Sequence, residues 1–157
     1  MIKPIEEPIC CWYRLSELSP ISLLRIMSAR QEVFVVEQQS VYQDADHLDE
    51  LAWHLVVWSG GPGSAVAGYL RLLEPNLKYP GMAAFGRVLT AKAWRGSGLG
   101  KVIVGEAMRF CAEHFPGVPI KISAQAYLQH FYESFRFEVK GSEYLEGGIP
   151  HVEMVRR

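Results

Sequence analysis

The chain has 157 residues, 49% of them hydrophobic, and a formal net charge of −1; that size fits one domain, spanning 1–157, with a core of its own. Charged residues at 21%, with 14 Gly and 9 Pro, argue against a disordered, collagenous or fibrous chain. With no basic excess to neutralise phosphates, the simplest case for nucleic-acid binding is removed, though a local basic patch stays allowed.

Cys10, Cys11 and Cys111 make an odd count without C-x-x-C or Cys/His spacing, so neither a disulfide framework nor a metal site is expected. The segment from Met1 to Cys11 carries Lys3, Pro4, Glu6, Glu7 and Pro8 and no apolar run of signal-peptide length. No stretch approaches the roughly 20 apolar residues of a membrane span. The expectation is a soluble, cytoplasmic protein of a reducing compartment, with no membrane partner.

In chain order, Trp12 to Leu15 reads as a short first strand. Ser19-Pro20 reads as a helix start, with proline at the first helical position. Leu23, Leu24, Met27, Phe34 and Val35 recur at helical spacing through Ile21 to Val36, although the Val-Phe-Val-Val run weakens the pattern at its end. Gln38 to Glu50, with Asp44, Asp46, Asp49 and Glu50, has no period and reads as a loop. Trp53 to Trp58 and Ala65 to Leu73 form a hairpin around Ser59-Gly60-Gly61-Pro62-Gly63-Ser64. After the loop Glu74 to Gly81 comes a strand, Ala83 to Thr90, then a glycine turn and a helix through Val102, Ile103, Ala107, Phe110 and Cys111, ended by His114-Phe115-Pro116-Gly117. Ile120 to Ala124 is a strand and Tyr127 to Phe135 a short helix. Glu138 to Lys140 and Val152 to Val155 are final strands, joined by Glu146-Gly147-Gly148-Ile149-Pro150. Hairpin strands followed by strand–helix–strand–helix predict an α/β chain: one mixed, mostly antiparallel sheet with helices on both faces.

The turn Arg95-Gly96-Ser97-Gly98-Leu99-Gly100-Lys101 is the most informative segment. Its glycines tolerate positive φ and let backbone amides approach an anion. At a helix N-terminus those amides and the helix dipole favour phosphate. A bare glycine cluster is equally readable as a structural turn. The P-loop pattern fails, because Arg95 stands at its first Gly and Val102 follows Lys101; G-x-G-x-x-G fails as well. The pattern that fits is R-x-x-G-x-G, on Arg95, Gly98 and Gly100.

On these residues the chain resembles the GNAT family of N-acetyltransferases. The strand Phe85-Gly86-Arg87-Val88-Leu89-Thr90, the turn, the helix from Leu99 to His114, the strand Ile120 to Ala124 and Phe131-Tyr132-Glu133-Ser134-Phe135 match its C-terminal half. The runs V-F-V-V-E-Q, Y-Q-D-x-D, A-Q-A-Y-L-Q-x-F-Y and G-I-P-H are similar to the ElaA-like branch and extend the match over nearly the whole chain. The resemblance implies that Arg95, Gly96, Ser97, Gly98, Leu99, Gly100 and Lys101 hold the pyrophosphate of acetyl-CoA. It implies that Val88, Leu89 and Thr90 offer backbone groups to the pantetheine arm, and that Tyr132 is the general acid for the leaving thiolate. Acceptors would be amines, attacking directly in a ternary complex. The family has Gly where this chain has Arg136. A left-handed arginine costs about 1 kcal/mol or more, so either the short helix ends differently or the cost is tolerated.

A base for the amine is not singled out: Glu37, Asp44, Asp46 and His54 are candidates, directly or through water, and His54 in its apolar strand reads first as a satisfied core histidine; His151, after the Gly-Gly-Ile-Pro turn, would line the acceptor side. The acids from Asp44 to Glu50 read either as an attractor for a cationic amine or as a solvated loop. Arg30, Phe34, Asp44, Asp46, Asp49 and Arg71 also resemble the N-terminal half of acyl-homoserine-lactone synthases, an alternative acyltransferase reading. A non-catalytic acyl-CoA-binding module on the same scaffold is the other. A homodimer is compatible with the sequence and not specified by it.

Overall fold

The computed structural model describes residues 9–157; the reading of Met1 to Pro8 as free of a signal segment lies outside the described residues. Seven strands form one sheet in the order β1-β2-β3-β4-β5-β7-β6. They are β1 (Cys10–Arg14), β2 (Trp53–Trp58), β3 (Val66–Leu73), β4 (Ala83–Thr90), β5 (Ile120–Gln125), β6 (Glu138–Glu146) and β7 (Ile149–Arg156). Every neighbouring pair is antiparallel except β4 and β5. The helices are α1 (Pro20–Gln31), α2 (Leu99–His114) and α3 (Gln129–Glu133). The last two strands are longer than their composition suggests: pairing across the Gly147-Gly148 turn draws Glu146, Ile149 and Pro150 into the ladder.

Strand alternation separates two cores. Leu55, Val57, Leu70 and Leu72 meet Ile103, Val104 and Ala107 of α2 and Tyr132 of α3 on one face. Val56, Trp58, Tyr69 and Leu89 meet Ile26 of α1 and Phe34 on the other. Gly68 lets α2 sit against β3, because a Cβ there would lie 2.4 Å from Ile103 Cδ1.

Ser19 caps α1 by accepting a bond from the Ser22 amide, with Pro20 at the first position. The buried side of α1 differs from the one its leucines predict. Ser22, Ile26 and Arg30 face inward, continued by Phe34, while Leu24 is 61% exposed. The register is set by Arg30, a core residue that apolar periodicity does not count. From Glu32 to Glu37 the helix widens to i→i+5 bonding, Gln38 to the Val33 carbonyl and Ser40 to that of Val35; the β-branched valines occupy this wider turn.

Candidate active site

Three local devices shape the middle of the sheet. First, β4 and β5 pair only at Ala83–Ile120 and Ala84–Lys121. Beyond those residues both strands continue, Phe85 to Thr90 and Ile122 to Gln125, without laddering to each other. The β4 backbone groups on that edge therefore have no strand partner. Second, β4 carries a bulge: Tyr69 pairs with Leu89 and Arg71 with Gly86, leaving Arg87 and Val88 opposite Leu70. Arg87 takes up the extra residue in the left-handed region at φ 48. Third, the chain leaves β4 through Lys92–Trp94 into Gly96 (φ 80) and Gly98 (φ 85), and Gly98 is the N-cap of α2.

The turn is open. A Cβ added at Gly96 or Gly98 would meet nothing within 4 Å. No side chain caps α2, so its first amides, on Leu99, Gly100 and Lys101, face outward without an acceptor among the described residues. This is the donor set and the positive helix end that a pyrophosphate requires. Ser97 Oγ donates to the Trp94 carbonyl at 2.5 Å, holding the turn from within. Arg95 donates to the Thr90 carbonyl at 3.1 Å and to Glu37 at 2.7 Å, which ties the turn to the end of the widened helix.

Tyr132 stands beside this turn. Gly100 approaches the Phe131 ring closely, 3.8 Å from where its Cβ would be, so α3 packs on the first turn of α2. Tyr132 is 5% exposed among Phe85, Phe131 and Phe137. Burial pushes its phenol well above the ordinary value, so it is protonated throughout the neutral range and suited to giving a proton rather than taking one. The end of α3 resolves the question raised by Arg136. Phe137 donates to the Tyr132 carbonyl and Arg136 to that of Glu133, at 3.2 and 2.9 Å, with Arg136 at φ 68. That is the Schellman closure with arginine in the left-handed seat; the Phe137 ring packs on Tyr132, 6.0 Å between centroids, and the cost is tolerated.

The acidic stretch is neither a solvated loop nor a free attractor for cations. Asp44 and Asp49 are 5% exposed and Arg30 is fully buried. Arg30 reaches Asp44 at 2.7 Å and Asp49 at 2.6 Å, Arg71 reaches Asp46 at 2.7 Å and Asp49 at 3.1 Å, and Arg87 reaches Asp44 at 2.7 Å. Asp44, Asp46 and Asp49 are spent on arginines, because a buried carboxylate needs a charge partner, while Glu50 stays exposed. Burial alone would raise the Asp49 carboxyl, but hydrogen bonds from Arg30 and the Asp46 amide override it and hold it at about 2.

His54 closes the same network. Its Nε2–H donates to the Asp49 carbonyl at 2.9 Å and its Nδ1 accepts from the Tyr69 hydroxyl at 2.6 Å. It is fully buried, and burial lowers its pKa; it is the satisfied core histidine, not a base. Arg30, Phe34, Asp44, Asp46, Asp49 and Arg71, which carry the likeness to acyl-homoserine-lactone synthases, thus lie in the network and the core beside it. Their side chains are used by the scaffold.

Among the described residues no cluster of His, Cys, Asp or Glu could hold a metal, and no helix is long and apolar enough to cross a membrane. The cysteines are free thiols; burial pushes Cys111 up to about 12 and Cys10 to about 11, far from reactive thiolates. Sequence reasoning missed Arg30, Arg71 and Arg87 as the partners of the acids. Only the likeness to acyl-homoserine-lactone synthases grouped Arg30 and Arg71 with those acids, and nothing pointed to Arg87.

Known proteins share the sequence pattern and the fold. Residues 23–157 match the family described as acetyltransferase (GNAT) domain. A UPF0039 protein of Synechocystis sp. is 41% identical over 146 residues, 93% of each chain. Protein ElaA of Escherichia coli is 36% identical over 144 residues, 90% of this chain and 91% of that one; its crystal structure superposes with a TM-score of 0.87, covering 96% of this chain and 100% of that one. The crystal structure of an acyl-CoA N-acyltransferase from Pseudomonas aeruginosa gives a TM-score of 0.88 at 35% identity, again over 96% and 100%. A CoA-dependent acyl-homoserine lactone synthase shares the fold alone, with a TM-score of 0.78 at 15% identity over 95% of this chain and 82% of that one. The chain therefore belongs to the GNAT acyltransferase family, in its ElaA-like branch.

Proposed function

We propose that the chain is an N-acetyltransferase that moves the acetyl group of acetyl-CoA to an amine acceptor by direct attack in a ternary complex. The observation that carries this reading is the open glycine turn at the head of α2, set beside the edge where β4 and β5 part. The amides from Gly96 to Lys101, with Arg95 and Lys101, hold the pyrophosphate. Val88, Leu89 and Thr90 present backbone groups on the unpaired edge to the pantetheine arm, and an amide there stabilises the oxyanion that develops on the thioester carbonyl. The amine nitrogen bonds to the carbonyl carbon, the C–S bond breaks, and the departing sulfur takes the Tyr132 proton. Burial keeps the phenol protonated throughout the neutral range, so a proton is at hand for the departing sulfur, while the same burial makes it a weaker acid than an ordinary phenol.

Thiol release from acetyl-CoA with a panel of primary amines, beside a CoA titration, tests the reading. Tyr132→Phe should lower kcat about a hundredfold and leave CoA affinity within about twofold, because only the hydroxyl is removed from a packed ring. A variant that keeps full kcat sinks the acid assignment. CoA binding without thiol release from any amine would favour a binding module.

A further inference from the structure

The buried network under α1 has an open edge, and Gly86 lies beneath it. Ala83 and Phe85 point into the core shared with α2, so alternation turns Gly86 to the α1 face. Its ladder partner Arg71 points the same way. A Cβ added at Gly86 would meet nothing within 4 Å. The apolar clusters on that face draw no residue from β5, β6 or β7, so a hollow opens over Gly86 where β4 and β5 part. Across it, Ser123 of β5 is bonded to Tyr144, and the His151 ring is held between the Ile149 carbonyl at 2.7 Å and Glu146 Oε2 at 3.3 Å.

The bulge in β4 decides what borders the near side. Alternation alone would send Arg87, next after Gly86, to the α2 face. At φ 48 the bulged residue is re-aimed, and its guanidinium lies on the α1 face against Asp44. Residues other than glycine seldom hold that conformation, and such strain gathers where a side chain is needed. Arg30 uses Nε, Nη1 and Nη2 on Asp44, Asp49 and Tyr69. Arg87 bonds only through Nε and Nη2, both to Asp44, and its Nη1 has no hydrogen-bond partner among the described residues. Arg71 bonds only through its two Nη atoms, leaving Nε without a partner. The two guanidiniums converge on Asp46 Oδ2, at 3.3 and 3.6 Å. Unused donors are therefore concentrated on the two arginines that flank Gly86. Lys78 of the β3–β4 loop is a third cation nearby: desolvation first, and then Arg71 and Arg87, lower its pKa, against the opposite pull of Glu146 and Asp46.

We propose that the hollow over Gly86 seats the acceptor, and that the acceptor is an amino acid whose carboxylate accepts hydrogen bonds from Arg87 Nη1, with Arg71 behind it as a second cation. This names the substrate class of the transferase and rests on that reading. Unused donors on paired cations favour an anion, and no described residue supplies one to Arg87 Nη1. Arg87 directly precedes Val88, about 3.8 Å away between Cα atoms. A carboxylate held by Arg87 therefore lies beside the edge, Val88 to Thr90, proposed for the pantetheine arm and thioester. An amine a few bonds from that carboxylate reaches the thioester carbonyl. An alkylamine without the carboxylate leaves the same donors unpaired, and a site built to hydrogen-bond one group discriminates against the analogue that lacks it.

The test pairs amino acids with the amines left by removing their carboxylates, phenylalanine with phenethylamine and leucine with isopentylamine among them, and reads thiol release from acetyl-CoA. In the best pair wild type should favour the amino acid at least about tenfold in kcat/KM, and Arg87→Gln should bring that ratio to within about threefold of one. The ratio is internal to each preparation, so partial loss of folded protein does not move it. Gly86→Val fills the hollow and removes no side chain from the network. It should raise KM for the amino acid at least about tenfold, with CoA affinity within about twofold and the melting temperature within a few degrees. A wild-type ratio of one or less, a ratio unchanged in Arg87→Gln, or an unchanged KM in Gly86→Val overturns the proposal. Thiol release with the carboxylate-free amines alone overturns it and leaves the transferase reading standing. Wild type that binds CoA yet releases thiol with neither series overturns both.

Discussion

The two faces of the central sheet use polar groups in opposite ways. Under α1, three arginines, three aspartates, His54 and Tyr69 are packed into a network whose buried side-chain atoms are satisfied except for Arg71 Nε. At the head of α2 the ionisable groups are few, but backbone amides are left facing outward. The network contains most of the residues that look catalytic in a bare sequence, and it is closed except along Arg71 and Arg87. The turn contains mostly glycine, and it is open. Unspent hydrogen-bonding capacity, rather than the density of titratable side chains, marks where a ligand fits.

The sharpest way to break the contrast is Arg30→Met. It leaves Asp44 with Arg87 and Asp49 with Arg71 alone, one buried negative charge uncompensated, and should cost about 3–5 kcal/mol, measured by urea unfolding. A loss under about 1 kcal/mol would mean that the network is not the keystone of that face.

Next comes pH. Asp49 is held at about 2 against an unfolded value near 3.9, so its roughly 2 kcal/mol is present above the unfolded value and is lost as pH falls towards the folded one. His54 is lowered by burial, so the unfolded chain takes up its proton first and stability already declines below about 6.5. Thermal melts from pH 7.5 to 3 should therefore fall in two stages. Only the upper stage should vanish in His54→Gln.

Gly98→Val perturbs the other region. At φ 85 a β-branched residue is strained, and CoA affinity should fall more than about tenfold while the melting temperature moves by only a few degrees, corresponding to about 1–2 kcal/mol. Unchanged CoA binding by calorimetry removes the turn from the donor site. The smallest effect is expected at Arg136→Gly, which relieves a left-handed arginine at φ 68 and should stabilise by about 1 kcal/mol. A destabilised variant would show that Arg136 makes contacts worth more than the strain.

Much of this was legible in the sequence. Trp53–Trp58 and Ala83–Thr90 form strands over the residues their composition marks, because a run of apolar and β-branched residues between turn signals has one economical conformation. Ser19-Pro20 starts α1 and the glycine turn starts α2, because capping and positive φ are local demands. These properties are carried by neighbours in the chain, so the chain alone states them. The fates of the acids and of His54 were not local. Asp44 meets Arg30 and Arg87 across 14 and 43 positions, and a carboxylate reads the same in sequence whether its partner is an arginine or water. The separation of β4 from β5 is likewise a tertiary decision. Two strands that pair for two residues and then part are indistinguishable in composition from two that pair throughout. The sequence determined the order of the elements and the turn whose glycines permit free amides; only the assembled sheet decided how far the last strands run and which polar groups are used up or left for chemistry, because burial and partnership are properties of residues far apart in the chain.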